Sequence, residues 1–177
     1  MKHTMVFDTE TTGLTLPEVA NVSQQPHIIE IGAALLDEKR KVIDKFSQLI
    51  KPPFPLSPEI TKITGLRDTD LATAPGFAEV LPRFTEFVLG CHRLCAHNLP
   101  FDLMILTSEL RRLGREFAFP YPPEQFCTAE LALQENGKRP RLIELHKLTL
   151  GKEYKQTHRA LDDVMALVRI LQKRKDW

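Results

Sequence analysis

Asp8 and Glu10 stand two residues apart at the end of an apolar run, Met5-Val6-Phe7-Asp8-Thr9-Glu10, which leads into Thr11-Thr12-Gly13-Leu14. If the run is a strand, alternation puts Val6, Asp8 and Glu10 on one face and Met5, Phe7 and Thr9 on the other. The two acids then point the same way, with Cα atoms about 6.5 to 7 Å apart, a spacing from which both reach one ion or an adjacent pair. Like charges on an inward face are costly unless a cation sits between them. The pattern points to divalent-metal chemistry, a solvated strand end being the alternative.

A second acidic position lies far along the chain, in Thr157-His158-Arg159-Ala160-Leu161-Asp162-Asp163-Val164. Helical phase separates its two aspartates: Ala160, Asp163, Val164, Leu167 and Leu171 share one face, whereas Asp162 falls in line with Arg169 and Lys173. Asp163 therefore faces the core, where a metal shared with Asp8 and Glu10 would balance its charge. Otherwise it is an acid favoured by the macrodipole of the first helical turn. His158 sits at the start of that helix, where the chain can leave the helical path and turn the imidazole toward the acids. An imidazole, with an unperturbed pKa of about 6.5, suits proton abstraction from water at neutral pH. Cys91, His92, Cys95 and His97 offer thiols and imidazoles, but their spacing and the remoteness of Cys127 do not make a closed tetrahedral zinc set.

The elements that must carry these groups read as follows. After the first strand, residues 27–36 and 41–50 form two more, joined at Asp37-Glu38-Lys39-Arg40 in an antiparallel meander that Pro52-Pro53 ends. Ser57-Pro58-Glu59 starts a short helix that Thr64-Gly65-Leu66 breaks. A helix over 75–88 follows, with Pro82 expected to kink it. Arg93 to His97 reads as a strand that passes through Asn98-Leu99-Pro100 into a helix carrying Asp102 in its first turn. A helix N-terminus at the end of a sheet is a frequent ligand site in α/β folds. A strand at 126–128 and helices over 129–134, 142–150 and 159–173 complete an order β-β-β-α-β-α-β-α-α, a three-layer α/β arrangement. Segments 16–26 and 114–123 read as surface loops.

A length of 177 residues with 42% hydrophobic and 27% charged content suits one domain with a sizeable core. A net charge of +1 argues against a tail-driven polyanion binder, so any nucleic-acid contact is local. Three cysteines do not make a disulfide framework and fit reduced thiols in a cytoplasmic setting. Neither a signal-peptide pattern nor an apolar run of about 18 residues is found, which predicts no membrane association.

Asp8-Thr9-Glu10, His97-Asn98-Leu99-Pro100-Phe101-Asp102 and His158-Arg159-Ala160-Leu161-Asp162-Asp163, in this order and at these separations, resemble the three motifs of the DEDDh 3′-to-5′ exonucleases. The resemblance spans nearly the whole chain. It implies a ribonuclease-H-like fold, a mixed five-stranded sheet with helices on both faces, in a single exonuclease domain over 1–177. It also implies that Asp8, Glu10, Asp102 and Asp163 bind two divalent cations, Mg²⁺ or Mn²⁺, and that His158 is the general base. The tyrosine-using sister group has Tyr four residues before the last aspartate, where this chain has Arg159.

By the same resemblance Thr9, Thr11, Thr12, Gly13, Leu14, Leu66 and Asn98 contact the terminal nucleotide. In that reading the 11–14 turn offers backbone N–H groups to the 3′-OH, Leu14 wedges against a base, Leu66 forms a second wall and Asn98 holds the strand near Asp102. Relatives often have His where Thr64 stands. The implied substrate is the 3′ end of single-stranded nucleic acid, with DNA favoured and nucleoside 5′-monophosphates released; a polymerase or other replication or repair partner is compatible. An exoribonuclease trimming RNA 3′ ends and a non-catalytic nucleic-acid-binding module of the same fold stay open.

Overall fold

The computed structural model describes residues 2–16, 21–174 and 176–177. β1 (His3–Thr11), β2 (Ile28–Leu36), β3 (Val42–Leu49), β4 (Cys91–Ala96) and β5 (Glu124–Cys127) form one sheet in the order β3-β2-β1-β4-β5. β1 and β2, and β2 and β3, pair antiparallel, whereas β1 and β4, and β4 and β5, pair parallel. The sheet is mixed, as the β-meander followed by strand-to-helix crossovers requires.

Strand alternation decides which residues build each layer. Met5 and Phe7 face α3 (Phe77–Val88) and α4 (Leu99–Arg112), packing with Phe84, Val88, Ile105, Leu106 and Leu110. Val6 faces the other way, with Ala34, Leu36 and Cys95, onto α6 (Leu142–Leu150) and α7 (Ala160–Lys173) through Leu145, Val164, Leu167 and Leu171. Helices therefore cover both faces, and Asp8 and Glu10, in phase with Val6, lie on the α7 side.

The remaining helices are α1 (Pro58–Thr64), α2 (Asp68–Leu71) and α5 (Thr128–Asn136), so seven helices occur among the described residues where the sequence order implied fewer. α2 spans four residues, too few to show a period. α1 starts and stops as read: the Ser57 hydroxyl accepts from Ile60 N, and Gly65 takes φ 73° beyond the last turn. α3 runs on through Pro82.

Two loop expectations need correction. Within 16–26, residues 17–20 lie outside the described residues, but Val22–Gln24 forms a 3-10 turn whose Val22 carbonyl accepts from Arg112 of α4. Within 114–123, Phe119 is buried in the core and Tyr121 packs against it, so only part of that segment is surface. Among the described residues no helix is long and apolar enough to cross a membrane.

Candidate active site

β1 delivers its two acids beside a gap in the sheet. Pairing of β1 with β4 runs from His3 opposite Cys91 to Val6 opposite Cys95 and goes no further. Beyond that point β1 needs a new acceptor on this side, because a buried backbone N–H is seldom left unpaired. Asp102, from the first turn of α4, supplies it. Its Oδ1 accepts from Thr9 N at 3.0 Å and from Thr9 Oγ1 at 2.8 Å. The strand-to-helix turn that aims Asp102 there passes through Asn98 at φ 74°, a conformation Asn tolerates better than most residues.

On the other side β1 pairs with β2, with Asp8 opposite Gly32 and Glu10 opposite Glu30. Gly32 lets the start of α7 lie directly on the sheet, since a Cβ at that position would stand 2.3 Å from Leu161 N and 2.4 Å from the Ala160 carbonyl carbon. This contact brings Asp163 over the β1 acids. Asp163 is buried and Asp162 exposed, as the helical phase predicted. Asp163 Oδ1 accepts from the Tyr154 hydroxyl at 3.1 Å and Oδ2 from Gln156 Nε2 at 2.6 Å.

His158 precedes α7 at φ 51°, in the left-handed region, so the chain does leave the helical path there. Ligand atoms of Glu10, His158 and Asp163 all lie within 4.8 Å of one another. That is the size of one cation's coordination shell. His97, by contrast, has both ring nitrogens engaged, by Thr128 Oγ1 and the Pro140 carbonyl, and the three cysteines are buried free thiols.

The carboxylates are poorly compensated by the protein itself. Burial, and then the charges of Asp102, Glu10, Asp163 and Glu30, hold Asp8 well above the usual carboxylate range. Burial pushes Glu10 to about 8, with Asp163, Glu30 and Asp102 adding to the rise and Arg159 opposing it. Asp102 is raised to about 7 by burial, against the two hydrogen bonds from Thr9. Asp163 is raised by burial, against those from Gln156 and Tyr154. Oxygen donors gathered at such a cost suit hard divalent cations, whose charge reverses these shifts.

The seven residues expected to touch substrate divide. Leu14 is 80% exposed at the tip of the turn, and Gly13 lies beside it, partly exposed. Leu66 is 4% exposed and packs with Ile29, Leu56 and Leu71. The Thr9 hydroxyl donates to Asp102. The Thr11 hydroxyl donates to the Gly13 carbonyl at 2.6 Å. Thr12 N donates to the His27 carbonyl and Thr12 Oγ1 accepts from His27 N, so this N–H is not free for a 3′-OH. Asn98 caps α4 without a side-chain hydrogen bond to it.

Glu30, Gly32, Tyr154, Gln156 and Arg159 shape the site without having been singled out for it. Glu30 and Gly32 did carry a signal. An acid inside the otherwise apolar strand Ile28–Leu36 needs a buried partner, and a glycine there marks a close backbone approach.

Acids that repel one another this strongly persist where a multiply charged cation is to enter, and the strand order with helices on both faces is that of a ribonuclease-H-like α/β protein. The chain belongs to the exonuclease family, whose model matches residues 5–171. It is 42% identical over 110 residues to the PolC-type DNA polymerase III of Caldanaerobacter subterraneus subsp. tengcongensis, covering 62% of this chain and 7% of that protein. It is 32% identical over 157 residues to the DNA polymerase III subunit epsilon of Treponema pallidum, covering 89% of this chain and 69% of that one. Exonuclease X, solved in complex with 5′ overhanging duplex DNA, shares the fold with a TM-score of 0.68 at 24% identity, over 98% of this chain and 93% of that one. The chain thus spans a small part of the PolC-type relative and about two thirds of the epsilon subunit.

Proposed function

We propose that this chain, as one exonuclease domain, hydrolyses phosphodiester bonds at the 3′ end of single-stranded nucleic acid, with DNA the favoured substrate, and releases nucleoside 5′-monophosphates. The observation that carries the reading is the meeting of Glu10, His158 and Asp163 within 4.8 Å, next to Asp8 and Asp102. Asp8, Glu10, Asp102 and Asp163 would hold two divalent cations, Mg²⁺ or Mn²⁺. Bound there, the cations supply positive charge against the anionic phosphate and the departing 3′-oxygen.

The protein's own groups do the rest. Thr9 fixes the orientation of Asp102, and Tyr154 and Gln156 fix that of Asp163. His158 accepts the proton of the attacking water on an imidazole nitrogen as the water oxygen bonds to phosphorus. The bond from phosphorus to the 3′-oxygen of the preceding nucleotide then breaks, and that oxygen takes up a proton from solvent, leaving a shortened strand with a new 3′-OH. The exposed Leu14 lies against the terminal base, an apolar contact that any base satisfies, and Gly13 gives the sugar room. DNA is favoured because two relatives above 30% identity are DNA polymerase III proteins; the same kinship makes a polymerase a fitting partner.

Incubation of matched 3′-labelled DNA and RNA single strands with Mg²⁺ or Mn²⁺, and with EDTA, tests this. Cation-dependent mononucleotide release, faster on DNA, is expected. Faster release from RNA would make the chain an exoribonuclease, and binding without release in either cation would make it a binding module.

A further inference from the structure

His158 occupies a backbone region that residues with a Cβ rarely adopt, at φ 51°, so neighbouring contacts must hold it. On its N-terminal side the Thr157 hydroxyl donates to Asp162 Oδ2 at 2.7 Å. On its C-terminal side Arg159 makes a two-pronged bond to Glu30, with Nε to Oε2 and Nη2 to Oε1 at 2.9 Å each. Ala160 N adds a third donor to Oε2 at 3.3 Å. Glu30 stands opposite Glu10 in the β1–β2 register, and its side chain is 2% exposed while that of Arg159 is 44% exposed. The residue directly after His158 is thus tied to the residue directly across from Glu10.

We propose that Glu30 and Arg159 are a positioning pair that sets the imidazole of His158 against Glu10 and Asp163 and keeps Glu30 out of the cation-binding set. The inference rests on the exonuclease reading above. The Arg159 guanidinium balances the charge of Glu30 and Ala160 N adds a third donor, so Glu30 does not compete as a fifth acid. The planar guanidinium fixes direction as well as charge, which an ammonium does not. Removing it would release the peptide after His158 and expose a negative charge beside Glu10.

The test uses the full chain and the variants Arg159→Ala, Arg159→Lys and Glu30→Gln. Arg159→Ala should lower kcat on a DNA single strand by about tenfold to a hundredfold, the usual effect of losing a residue that orients a site group. KM should stay near the wild-type value, and added guanidinium at millimolar concentration should restore part of kcat. Arg159→Lys should not recover it. Mn²⁺ binding, followed by titration without substrate, should be at least as tight in Arg159→Ala as in the wild type, because an acid has been unmasked. If buried Glu30→Gln fails to fold, the half-exposed Arg159 variants carry the test.

Wild-type kcat in Arg159→Ala, a rise in KM alone, weaker Mn²⁺ binding, or a loss that follows a lower melting temperature and resists guanidinium would each overturn the pair. An inactive wild-type chain would instead sink the exonuclease reading. The Mn²⁺ titration would still report on the pair.

Discussion

Thr9 gives both of its donors, the backbone N–H and the hydroxyl, to the same oxygen of Asp102, and it does so past the point where β1 stops pairing with β4. A strand end and a helix start are fastened together by an acid of the site. Thr9→Val keeps the shape and deletes one donor. It should cost about 1 to 2 kcal/mol of stability and weaken Mn²⁺ binding by about tenfold. Chemical denaturation and a Mn²⁺ titration check the two effects separately.

Acid raised pKa values make metal-free stability fall as pH rises. Folded Glu10 keeps its proton to about pH 8, whereas the unfolded side chain releases it near 4.5. Asp102 behaves alike between 3.8 and about 7. Across these windows the folded state binds more protons than the unfolded chain, so each group's contribution is present below the unfolded value and lost as pH passes the folded one. In EDTA the melting temperature should be lower near pH 8.5 than near pH 5.5. Millimolar Mg²⁺ should narrow that difference, since cations bind the ionised carboxylates of the folded state. A melting temperature indifferent to Mg²⁺ at both values would contradict the assignment.

Gly32→Ala should act on α7 rather than on β2. Its methyl group would meet the backbone of Ala160 and Leu161, which cannot move aside as a side-chain end could. A loss of about 1 to 3 kcal/mol is expected from overpacking. The displaced first turn carries Asp163, so nucleotide release should fall further than stability alone explains. Activity measured well below the variant's melting temperature separates the two.

The two neighbouring aspartates and the histidine give a graded series. His158→Ala should slow nucleotide release by about 10² to 10⁴ with the cations still bound. Asp163→Asn should be severe, because the side chain is buried among the other acids. Asp162→Asn should stay close to wild type, because the amide oxygen can still accept from the Thr157 hydroxyl. Single-turnover rates with Mn²⁺ rank the three.

What the sequence made legible was local. A period of two put Asp8 and Glu10 on one face, and a period of 3.6 chose Asp163 over Asp162. Neither needs knowledge of a distant residue. The bond from Thr9 to Asp102 was not legible, because the two lie 93 residues apart, at a β1–β4 register the strand pattern does not encode. The burial of Leu66 was hidden for the same reason, since the residues covering it, Ile29, Leu56 and Leu71, come from separate parts of the chain. The Glu30–Arg159 tie spans 129 residues and depends on the closeness of α7 to the sheet, which the single glycine at 32 permits.

Anomalous scattering from crystals grown with Mn²⁺ and a short DNA strand tests the central claim most directly. Manganese is expected between the carboxylates of Asp8, Glu10, Asp102 and Asp163, with the 3′-terminal phosphate beside them and the imidazole of His158 facing that phosphate. Ordered protein whose acids carry no manganese, or whose oxygens point apart with the DNA bound elsewhere, would contradict it.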